Sequence, residues 1–319
     1  MVLCNSRREK DLLSVVVPAY CEEETVSTAA KTIVSVLESA QIPFEIVFVD
    51  DGSGDGTWRK ITEQSEIFPQ VRGVRFSRNF GKEAAIFSGL AQSRGACTVV
   101  IDCDLQHPPE KIIEMYEKWL EGFQIVEGVK ESRGKESLFH RCAAKTFYQM
   151  ISKNMGIDMS NASDFKLLDR RAVEALLAIG EKDAFFRGLS SWIGFTTTQV
   201  TFVVQERVAG ESKWSLFSLV KYAMRNLASF SIAPLQVIPF LGFGFLLISL
   251  IFGGIALYQK FNGLALDGFT TVILLLLIIG GILLISLGFI AYYIGKIYTS
   301  IQDRPRFIIE NDTEEGKKE

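Results

Sequence analysis

The chain contains few of the residues that most often build metal centres or disulfides. Its 319 residues include two histidines and five cysteines, and no two cysteines are spaced as a Cys-x-x-Cys pair. The odd number argues against a disulfide framework, and the spacing argues against a structural zinc site. The N-terminal stretch MVLCNSRREKD is too polar to be a signal peptide. We therefore expect free thiols in a reducing compartment.

Charge is missing from two long stretches in the C-terminal third. No charged residue lies between Asn226 and Gln259, and none lies between Gly268 and Gly295. Each stretch exceeds the roughly 20 residues that a helix needs to cross the hydrocarbon core of a bilayer. We expect a transmembrane hairpin, with helices at residues 232–259 and 269–297 joined by a short extracytoplasmic loop at 260–268.

Positive charge flanks the outer ends of these stretches, at Lys213, Lys221, Arg225, Lys296, Arg304 and Arg306. The loop between them offers only Lys260. Positively charged flanks mark the cytoplasmic side of a membrane protein. We therefore expect a multi-pass protein of the plasma membrane with its N-terminal part and its tail, residues 298–319, in the cytoplasm. The last nine residues are polar and are expected to be disordered.

Residues 211–231 have an amphipathic pattern. Phe217, Val220 and Met224 share one helical face, while Lys221 and Arg225 lie on another. A helix lying on an anionic membrane surface fits this pattern. The alternative is a helix that packs on the N-terminal domain.

Residues 1–210 alternate short apolar strands with helical patterns. The patterns predict strands at 13–18, 45–50, 71–76, 97–102 and 124–129, with helices at 26–37, 57–65, 82–92 and 109–119. Such alternation predicts an α/β domain with a mostly parallel sheet that is covered on both faces.

Three of the predicted strands end in polar signatures. These are Pro18-Ala19-Tyr20, Asp50-Asp51 and Asp102-x-Asp104. In open α/β sheets, ligands bind beyond the carboxyl ends of the strands, so we expect one shared site. Side chains alternate with period two along a strand, which aims the carboxylates of Asp102 and Asp104 the same way. Mg²⁺ takes one or two carboxylates together with substrate phosphates, which suggests a nucleotide-diphosphate site.

The two acidic signatures also have a simpler structural explanation. Asp102-x-Asp104 followed by prolines also fits a turn. DDGSGDGT, from Asp50 to Thr57, also fits a turn with an aspartate capping a helix. An EF-hand is excluded because the glutamate at its twelfth position is absent.

Four motifs together carry a family resemblance: PAYCEE at 18–23, VDDGSGDGT at 49–57, RNFGKEAA at 78–85 and DCDLQHPPE at 102–110. In this order and spacing they resemble the family 2 glycosyltransferases of GT-A fold. NASDFKLLDRR at 161–171 and GESKW at 210–214, followed by two spans, resemble the polyprenyl-phosphate branch. That branch includes dolichyl-phosphate mannose synthases and bacterial undecaprenyl-phosphate glucosyltransferases. Cys21 and His107 depart from the common pattern, and we expect His107 to structure the turn at Pro108.

The resemblance implies a role for several residues. The implied nucleotide-sugar contacts are Pro18, Tyr20, Glu22, Asp50, Asp51, Lys82 and Asp102. The implied metal ligands for Mg²⁺ or Mn²⁺ are Asp102, Asp104 and Gln106. The catalytic candidates are Asp102, Asp104 and Asp164, where Asp164 orients either Arg187 or the sugar hydroxyls. Lys82 is alternatively a solvated lysine at the start of a helix.

A polyprenyl phosphate is already an anionic nucleophile, so its transfer reaction needs cations rather than a strong general base. The segments that match the family's phosphate-contacting regions supply Lys130, Arg133, Arg141, Arg207 and Lys213. Each of these is alternatively an ordinary surface charge. A single displacement with UDP as the leaving group would invert the anomeric carbon.

The resemblance implies an inverting enzyme that moves one hexose onto a polyprenyl phosphate, such as undecaprenyl phosphate, at the cytoplasmic membrane face. UDP-glucose is the expected donor, and the alternatives are GDP-mannose, UDP-galactose, UDP-N-acetylglucosamine and a modified pentose. A processive polysaccharide synthase is a competing hypothesis, although its Gln-x-x-Arg-Trp element is absent. A non-enzymatic lipid-binding protein is the third. Glycines that allow close helix packing suggest a homo-oligomer, such as a tetramer, and no nucleic-acid partner is expected.

Overall fold

The computed structural model describes residues 11–131, 163–180, 185–203, 251, 258, 261–262, 268–302 and 304–314. The chain divides into two compact units. The first unit comprises Met1–Leu219 together with Pro305–Glu319, and the second comprises Val220–Arg304.

In the first unit the described residues form an eight-stranded sheet. Its strands are β1 (Leu13–Ala19), β2 (Phe44–Asp50), β3 (Val71–Phe76), β4 (Cys97–Val100), β5 (Ile125–Lys130), β6 (Lys166–Asp169), β7 (Thr197–Phe202) and β8 (Ile309–Asp312). Their order is β7-β5-β6-β4-β1-β2-β3-β8. The pairs β4–β1, β1–β2, β2–β3 and β5–β7 are parallel. The mostly parallel α/β sheet predicted from the sequence is thus confirmed.

Antiparallel strands complete the sheet. β6 lies between β4 and β5 and is antiparallel to both, and β8 is antiparallel to β3. Because β5 and β4 both run opposite to β6, their carboxyl ends lie at the same edge of the sheet.

The helices of the described chain connect or flank these strands. They are α1 (Val26–Ser39), α2 (Thr57–Ile67), α3 (Lys82–Gln92), α4 (Lys111–Leu120), α5 (Arg170–Ala178), α6 (Phe186–Trp192) and α7 (Phe269–Ile301). β3 and α3 have the predicted bounds. β4 ends at Val100, two residues before the predicted end, because the chain turns after the Ile101 amide bonds the Val16 carbonyl at 3.0 Å. α4 begins two residues after Pro109, whose carbonyl accepts the Ile112 amide at 3.0 Å.

Both faces of the central strands are buried, as expected for a parallel sheet covered by helices. Every residue of β1 and β2 is buried. One core cluster joins β1 to α1 and α4 and includes Val15, Ile33 and Trp119. The opposite face forms a smaller cluster around Val49 and Phe76. This two-sided core fixes the strand ends that carry the polar signatures.

The C-terminal tail differs from its expectation. The last nine residues were expected to be disordered, but Asn311 and Asp312 belong to β8, and Glu314 pairs with Arg94. The expectation was wrong because it considered polarity alone. A polar segment gains backbone hydrogen bonds when it pairs with the exposed edge of a sheet.

The second unit contains α7, a 33-residue helix. Within it, Ile278–Gly295 has a mean hydropathy of 2.1, so α7 is long and apolar enough to cross a membrane. It is the one such helix in the part of the chain that the structure describes. The first predicted span, 232–259, lies outside the described residues except for Ile251 and Tyr258, and the predicted interfacial helix at 211–231 lies wholly outside them.

Candidate active site

The three polar signatures meet at one edge of the sheet. The register pairs Ala19 of β1 with Asp50 of β2, and Val16 of β1 with Val100 of β4. The Asp51 amide donates to the Ala19 carbonyl at 2.9 Å. Because β1, β2 and β4 are parallel, their carboxyl ends place the three signatures together. The three signatures expected to share a site therefore lie at the same edge of the sheet.

Asp50 is a buried carboxylate that is only partly satisfied. It is 0% exposed, and its Oδ1 accepts the Ser53 amide at 2.9 Å. Its Oδ2 has no hydrogen-bond partner among the described residues and lies 3.5 Å from Arg75 Nε. Burial raises the pKa of Asp50, opposed by the bonds from Ser53 and the charge of Arg75. A buried acceptor with an unused lone pair is suited to receive an N–H or O–H group from a ligand.

Asp51 stabilises a neighbouring loop. Its Oδ1 accepts the Phe80 amide at 2.7 Å, and its Oδ2 accepts the Gly81 amide at 2.9 Å. Burial raises the pKa of this carboxyl. Asp51 therefore holds the loop that leads into α3, and its implied contact with a nucleotide stays a prediction.

The turn after β2 requires glycine at one position. Gly52 has φ +67°, and a Cβ built there would lie 2.4 Å from the carbonyl carbon of Arg78. Further along, Asp55 Oδ1 accepts the Thr57 amide at 3.1 Å at the start of α2. The turn interpretation of DDGSGDGT therefore applies, with Asp55 bonding the first amide of α2, while a ligand contact by Asp50 stays a prediction.

The segment after β1 is tied to this turn. The Cys21 amide donates to Ser53 Oγ at 2.9 Å, and the Glu22 amide donates to Thr57 Oγ1 at 2.8 Å. Tyr20 is half-exposed, whereas Pro18 is buried within β1. Tyr20 is therefore accessible to a ligand, and Pro18 contributes to the frame that holds it.

A second group of charged residues lies beside the end of β4. Lys82 Nζ lies 2.7 Å from Asp102 Oδ1 and 2.9 Å from Asp164 Oδ2. Arg187 binds Asp164 in a bidentate manner, with Nε at 2.6 Å from Oδ1 and a terminal nitrogen at 2.7 Å from Oδ2. The orientation of Arg187 by Asp164, one of two roles suggested from the sequence, is present in the structure. We call Lys82, Asp102, Asp164 and Arg187 the ion-pair cluster.

These contacts fix the charge states in the cluster. Burial alone would raise the pKa of Asp164, but Lys82 and Arg187 together hold it well below its usual range. Burial would lower the pKa of Lys82, but Asp102 and Asp164 raise it above its ordinary value. Asp164 is therefore ionised and fully engaged at neutral pH, which makes it a poor general base.

Glu83 is a site-proximal residue that the sequence reasoning missed. Its Oε2 accepts the amide of Phe186, the first residue of α6, at 2.8 Å. Burial and the nearby charge of Asp164 raise its pKa to about 7. Glu83 therefore links α3 to the helix that carries Arg187. The one available signal was its position directly after Lys82 in RNFGKEAA.

Asp102 and Asp104 lie in the turn that follows β4. Cys103 between them is buried, and Leu105 after them has φ +55°. The Gln106 amide donates to Asp104 Oδ1 at 3.1 Å. Within the described residues, no group of three or more His, Cys, Asp or Glu side chains could hold a metal ion. A hard divalent cation held by this pair would take its remaining ligands from substrate phosphates and water.

His107 has a packing role. Its ring stacks on Phe165 at 5.1 Å and meets Phe202 edge-on at 5.3 Å. Nδ1 lies 4.0 Å from Asp102 Oδ2 and has no hydrogen-bond partner among the described residues. Burial lowers the pKa of this imidazole, so it is neutral near pH 7. His107 supports the turn after β4 by packing, in line with the structural role expected of it.

The residues predicted to contact the acceptor phosphate are described only in part. Lys130 is exposed at the end of β5, at the same sheet edge as Asp102. The remaining four, Arg133, Arg141, Arg207 and Lys213, lie outside the described residues.

Comparison with known proteins identifies the family. A family model described as glycosyl transferase family 2 matches residues 14–177. This chain is a family 2 glycosyl transferase. An uncharacterized glycosyltransferase, YkcC, of Bacillus subtilis (strain 168) is 38% identical over 93% of this chain and 93% of its own. A bactoprenol glucosyl transferase of Shigella phage SfV is 35% identical over 94% of this chain and 98% of its own.

A solved structure shares the fold of this glycosyl transferase. Glucosyl-3-phosphoglycerate synthase from Mycobacterium tuberculosis, in complex with Mn²⁺, UDP-glucose and phosphoglyceric acid, matches with a TM-score of 0.50 and 23% identity. The match covers 69% of this chain and 78% of the synthase. At this identity the likeness bears on the fold alone, and it agrees with the expected GT-A domain.

Proposed function

We propose that this glycosyl transferase moves one glucose from UDP-glucose onto a polyprenyl phosphate, such as undecaprenyl phosphate, with inversion at the anomeric carbon. The observation that carries the proposal is the meeting of Asp50, Asp102 and Asp104 at one sheet edge, with Lys82 bound to Asp102. The bactoprenol glucosyl transferase of Shigella phage SfV, 35% identical over 94% of this chain, supports the choice of sugar and acceptor.

The donor would lie across this edge. Asp50 Oδ2, the acceptor without a partner among the described residues, is available to an N–H of the base or a ribose hydroxyl. Tyr20 and Glu22 flank it in the segment tied to the same turn. Asp102 and Asp104, with Gln106, would hold Mg²⁺ or Mn²⁺ together with the diphosphate. The cation, when bound, supplies charge stabilisation for the leaving phosphate.

The acceptor requires little proton chemistry from the protein. A phosphate oxygen is anionic near neutral pH, so the attack does not need a general base. Two observations support this: Asp164 is held in ion pairs that lower its pKa, and burial lowers the pKa of His107, so neither is a strong base. Lys130, with Arg133, Arg141, Arg207 and Lys213, would bind the acceptor phosphate and screen its repulsion from the donor.

The apolar helix α7 supports attachment to the membrane where such a lipid resides. We propose that it forms a hairpin with residues 232–259, that residues 211–231 lie on the lipid surface, and that residues 1–210 and the tail are cytoplasmic. A homo-oligomer formed through the glycines of the spans belongs to the same proposal.

The direct test offers the purified full-length protein undecaprenyl phosphate and a panel of radiolabelled nucleotide sugars, with and without Mg²⁺. We expect glucose alone to enter the organic phase, and only with the metal ion. Transfer of mannose from GDP-mannose would favour a mannose synthase, and a polymer would favour a processive synthase. If the Asp104→Ala variant keeps the cellular phenotype and no donor reacts, the protein is a non-enzymatic lipid-binding partner.

The stereochemistry is tested on the isolated product. A single displacement from an α-linked donor predicts a β-linked lipid sugar, which NMR of the anomeric proton resolves. An α-linked product would contradict direct displacement.

A further inference from the structure

The C-terminal segment 305–314, called here the tail segment, is built into the catalytic unit. β8 pairs with β3, so that Arg75 is opposite Asn311 and Val74 is opposite Asp312. The Ser77 amide donates to the Ile308 carbonyl at 3.1 Å. The tail segment therefore runs alongside the strand that neighbours β2 and Asp50.

A polar contact joins the tail segment to the turn after β2. Arg75 lies opposite Asp50 in the register of β3 with β2. Its Nε lies 3.5 Å from Asp50 Oδ2 and 3.8 Å from Glu310 Oε2, and a terminal nitrogen donates to the Ser53 carbonyl at 3.3 Å. One guanidinium thus contacts the turn at two points and the tail segment at a third.

An apolar contact reaches the neighbouring loop. Phe307 stacks on Phe76 with ring centroids 5.1 Å apart, and Phe76 meets Phe80 edge-on at 5.8 Å. The Phe80 amide is bound by Asp51. Two independent contacts from the tail segment therefore converge on the loops that border the proposed donor site.

We propose that the tail segment is a structural part of the donor site, with Glu310 acting through Arg75 as a positioning residue for the Asp50–Ser53 turn. The proposal rests on the assignment of Asp50 to nucleotide binding in the proposed function. Glu310 competes with Asp50 for the guanidinium and fixes where it lies. The charged groups around Asp50 are Arg75, Asp51, Asp55 and Glu310.

The chain offers a matched control. Glu314 also lies in the tail segment and also pairs with an arginine, Arg94, whose backbone amide bonds Glu45 Oε1 at 2.6 Å. Arg94 precedes β4, at the opposite edge of the sheet from Asp50. Glu310→Gln and Glu314→Gln therefore remove equivalent charges, but only Glu310 pairs with an arginine that contacts the turn.

The first measurement is nucleotide binding, by calorimetry with UDP and with GDP between about pH 5 and 8. We expect Arg75→Gln to weaken binding about tenfold, Glu310→Gln about two- to threefold, and Glu314→Gln not at all. In Arg75→Gln the acid limb of binding should move to higher pH, because Arg75 lowers the pKa of Asp50 against its burial. Equal binding by the two glutamate variants would overturn the proposal.

A second measurement does not depend on the proposed function. Hydrogen exchange at the Ser53 amide, which bonds Asp50 Oδ1, should accelerate in Glu310→Gln and not in Glu314→Gln. The Ser77 amide, which bonds the tail segment, should keep its protection. Unchanged exchange at Ser53 would overturn the proposal. Faster exchange at both amides would overturn it as well, since Glu310 would then dock the tail segment. If the wild-type protein binds neither UDP nor GDP, the proposed function fails. The hydrogen-exchange measurement alone then tests whether Glu310 positions the turn.

Discussion

The two halves of the site differ in how their buried charges are satisfied. In the turn after β2, Asp50 Oδ2 lacks a hydrogen-bond partner among the described residues. In the ion-pair cluster, both oxygens of Asp164 are bound by Lys82 and Arg187. An unsatisfied buried acceptor is costly and is stabilised when a ligand supplies the donor. A self-neutralised cluster instead has its geometry set before the substrate arrives. In the first half, Asp50 Oδ2 has only the ion pair with Arg75, and we expect a ligand to supply the missing hydrogen-bond donor. In the second half, the protein's own side chains already bind both oxygens of Asp164.

Removing the carboxylate at the centre of the cluster should have the largest effect. In Asp164→Ala, Lys82 and Arg187 lose their shared partner and repel each other. We expect glucose transfer to fall at least about 10³-fold and the free energy of unfolding to fall by about 3 kcal/mol, as for breaking a buried ion pair. Transfer kinetics measure the loss of activity, and urea unfolding measures the loss in the free energy of unfolding. A variant with wild-type activity would show that the cluster is not needed for transfer.

Lys82→Met tests whether a single cation of the cluster serves the reaction. We expect a loss of about 10²- to 10³-fold in kcat, because a preorganised cation of the site is removed. We expect a smaller loss of stability than in Asp164→Ala, because Arg187 still binds Asp164. Lys111→Met is the matched control, since Lys111 also lies 2.7 Å from a carboxylate, that of Glu114 on the surface of α4. An equal loss of kcat in both variants would show that the effect comes from removing any lysine charge and not from the position of Lys82.

Substitution of Gly52 tests whether the turn after β2 has a fixed conformation. Gly52→Ala places a Cβ against the Arg78 backbone at φ +67°, so we expect a loss of about 2 kcal/mol in stability and weaker nucleotide binding. Gly54→Ala meets nothing within 4 Å and should change stability by less than about 0.5 kcal/mol. Thermal unfolding of both variants decides. Similar melting temperatures for Gly52→Ala and Gly54→Ala would contradict a fixed conformation of this turn.

The last prediction concerns the dependence of stability on pH. Glu83 has a pKa of about 7 in the fold against an ordinary value of 4.5, so the folded protein binds this proton more tightly than the unfolded chain does. Its stabilising contribution is complete below about pH 4.5 and is lost as the pH rises through about 7. Glu83→Gln should therefore gain about 1 to 3 kcal/mol relative to wild type between about pH 5 and 8. Thermal unfolding across this range should show it, and a pH-independent difference would contradict it.

The sequence predicted the parts of the fold in which local pattern and burial agree. Strands β1 to β5 give short apolar runs because the sheet is buried on both faces, and helices α1 to α4 have apolar residues at helical spacing. β6 and β8 are four residues each and contain two and one apolar residues, so they lack an apolar run, and β8 is partly exposed. Their existence depends on partners far along the chain. The expectation that the last nine residues are disordered was therefore wrong for Asn311 and Asp312, which belong to β8.

The site was predicted to a similar extent. The shared position of Asp50, Asp102 and Asp104 could be predicted because topology alone brings carboxyl ends together, and their roles stay predictions. Glu83 and Arg75 were missed because their importance comes from contacts with Phe186 and Glu310, which no local pattern displays. The structure assigns Asp51 a loop-holding contact that the sequence motif could not separate from ligand binding.

The most direct test of the central claim compares wild type with Asp102→Asn and Asp104→Asn. Each full-length protein receives radiolabelled UDP-glucose and undecaprenyl phosphate, in Mg²⁺ or in a chelator, and label in the organic phase is counted. We expect transfer by wild type in Mg²⁺ alone, and background counts from both variants under either condition. Transfer that persists in the chelator, or in either variant, would contradict metal-dependent sugar transfer at this sheet edge.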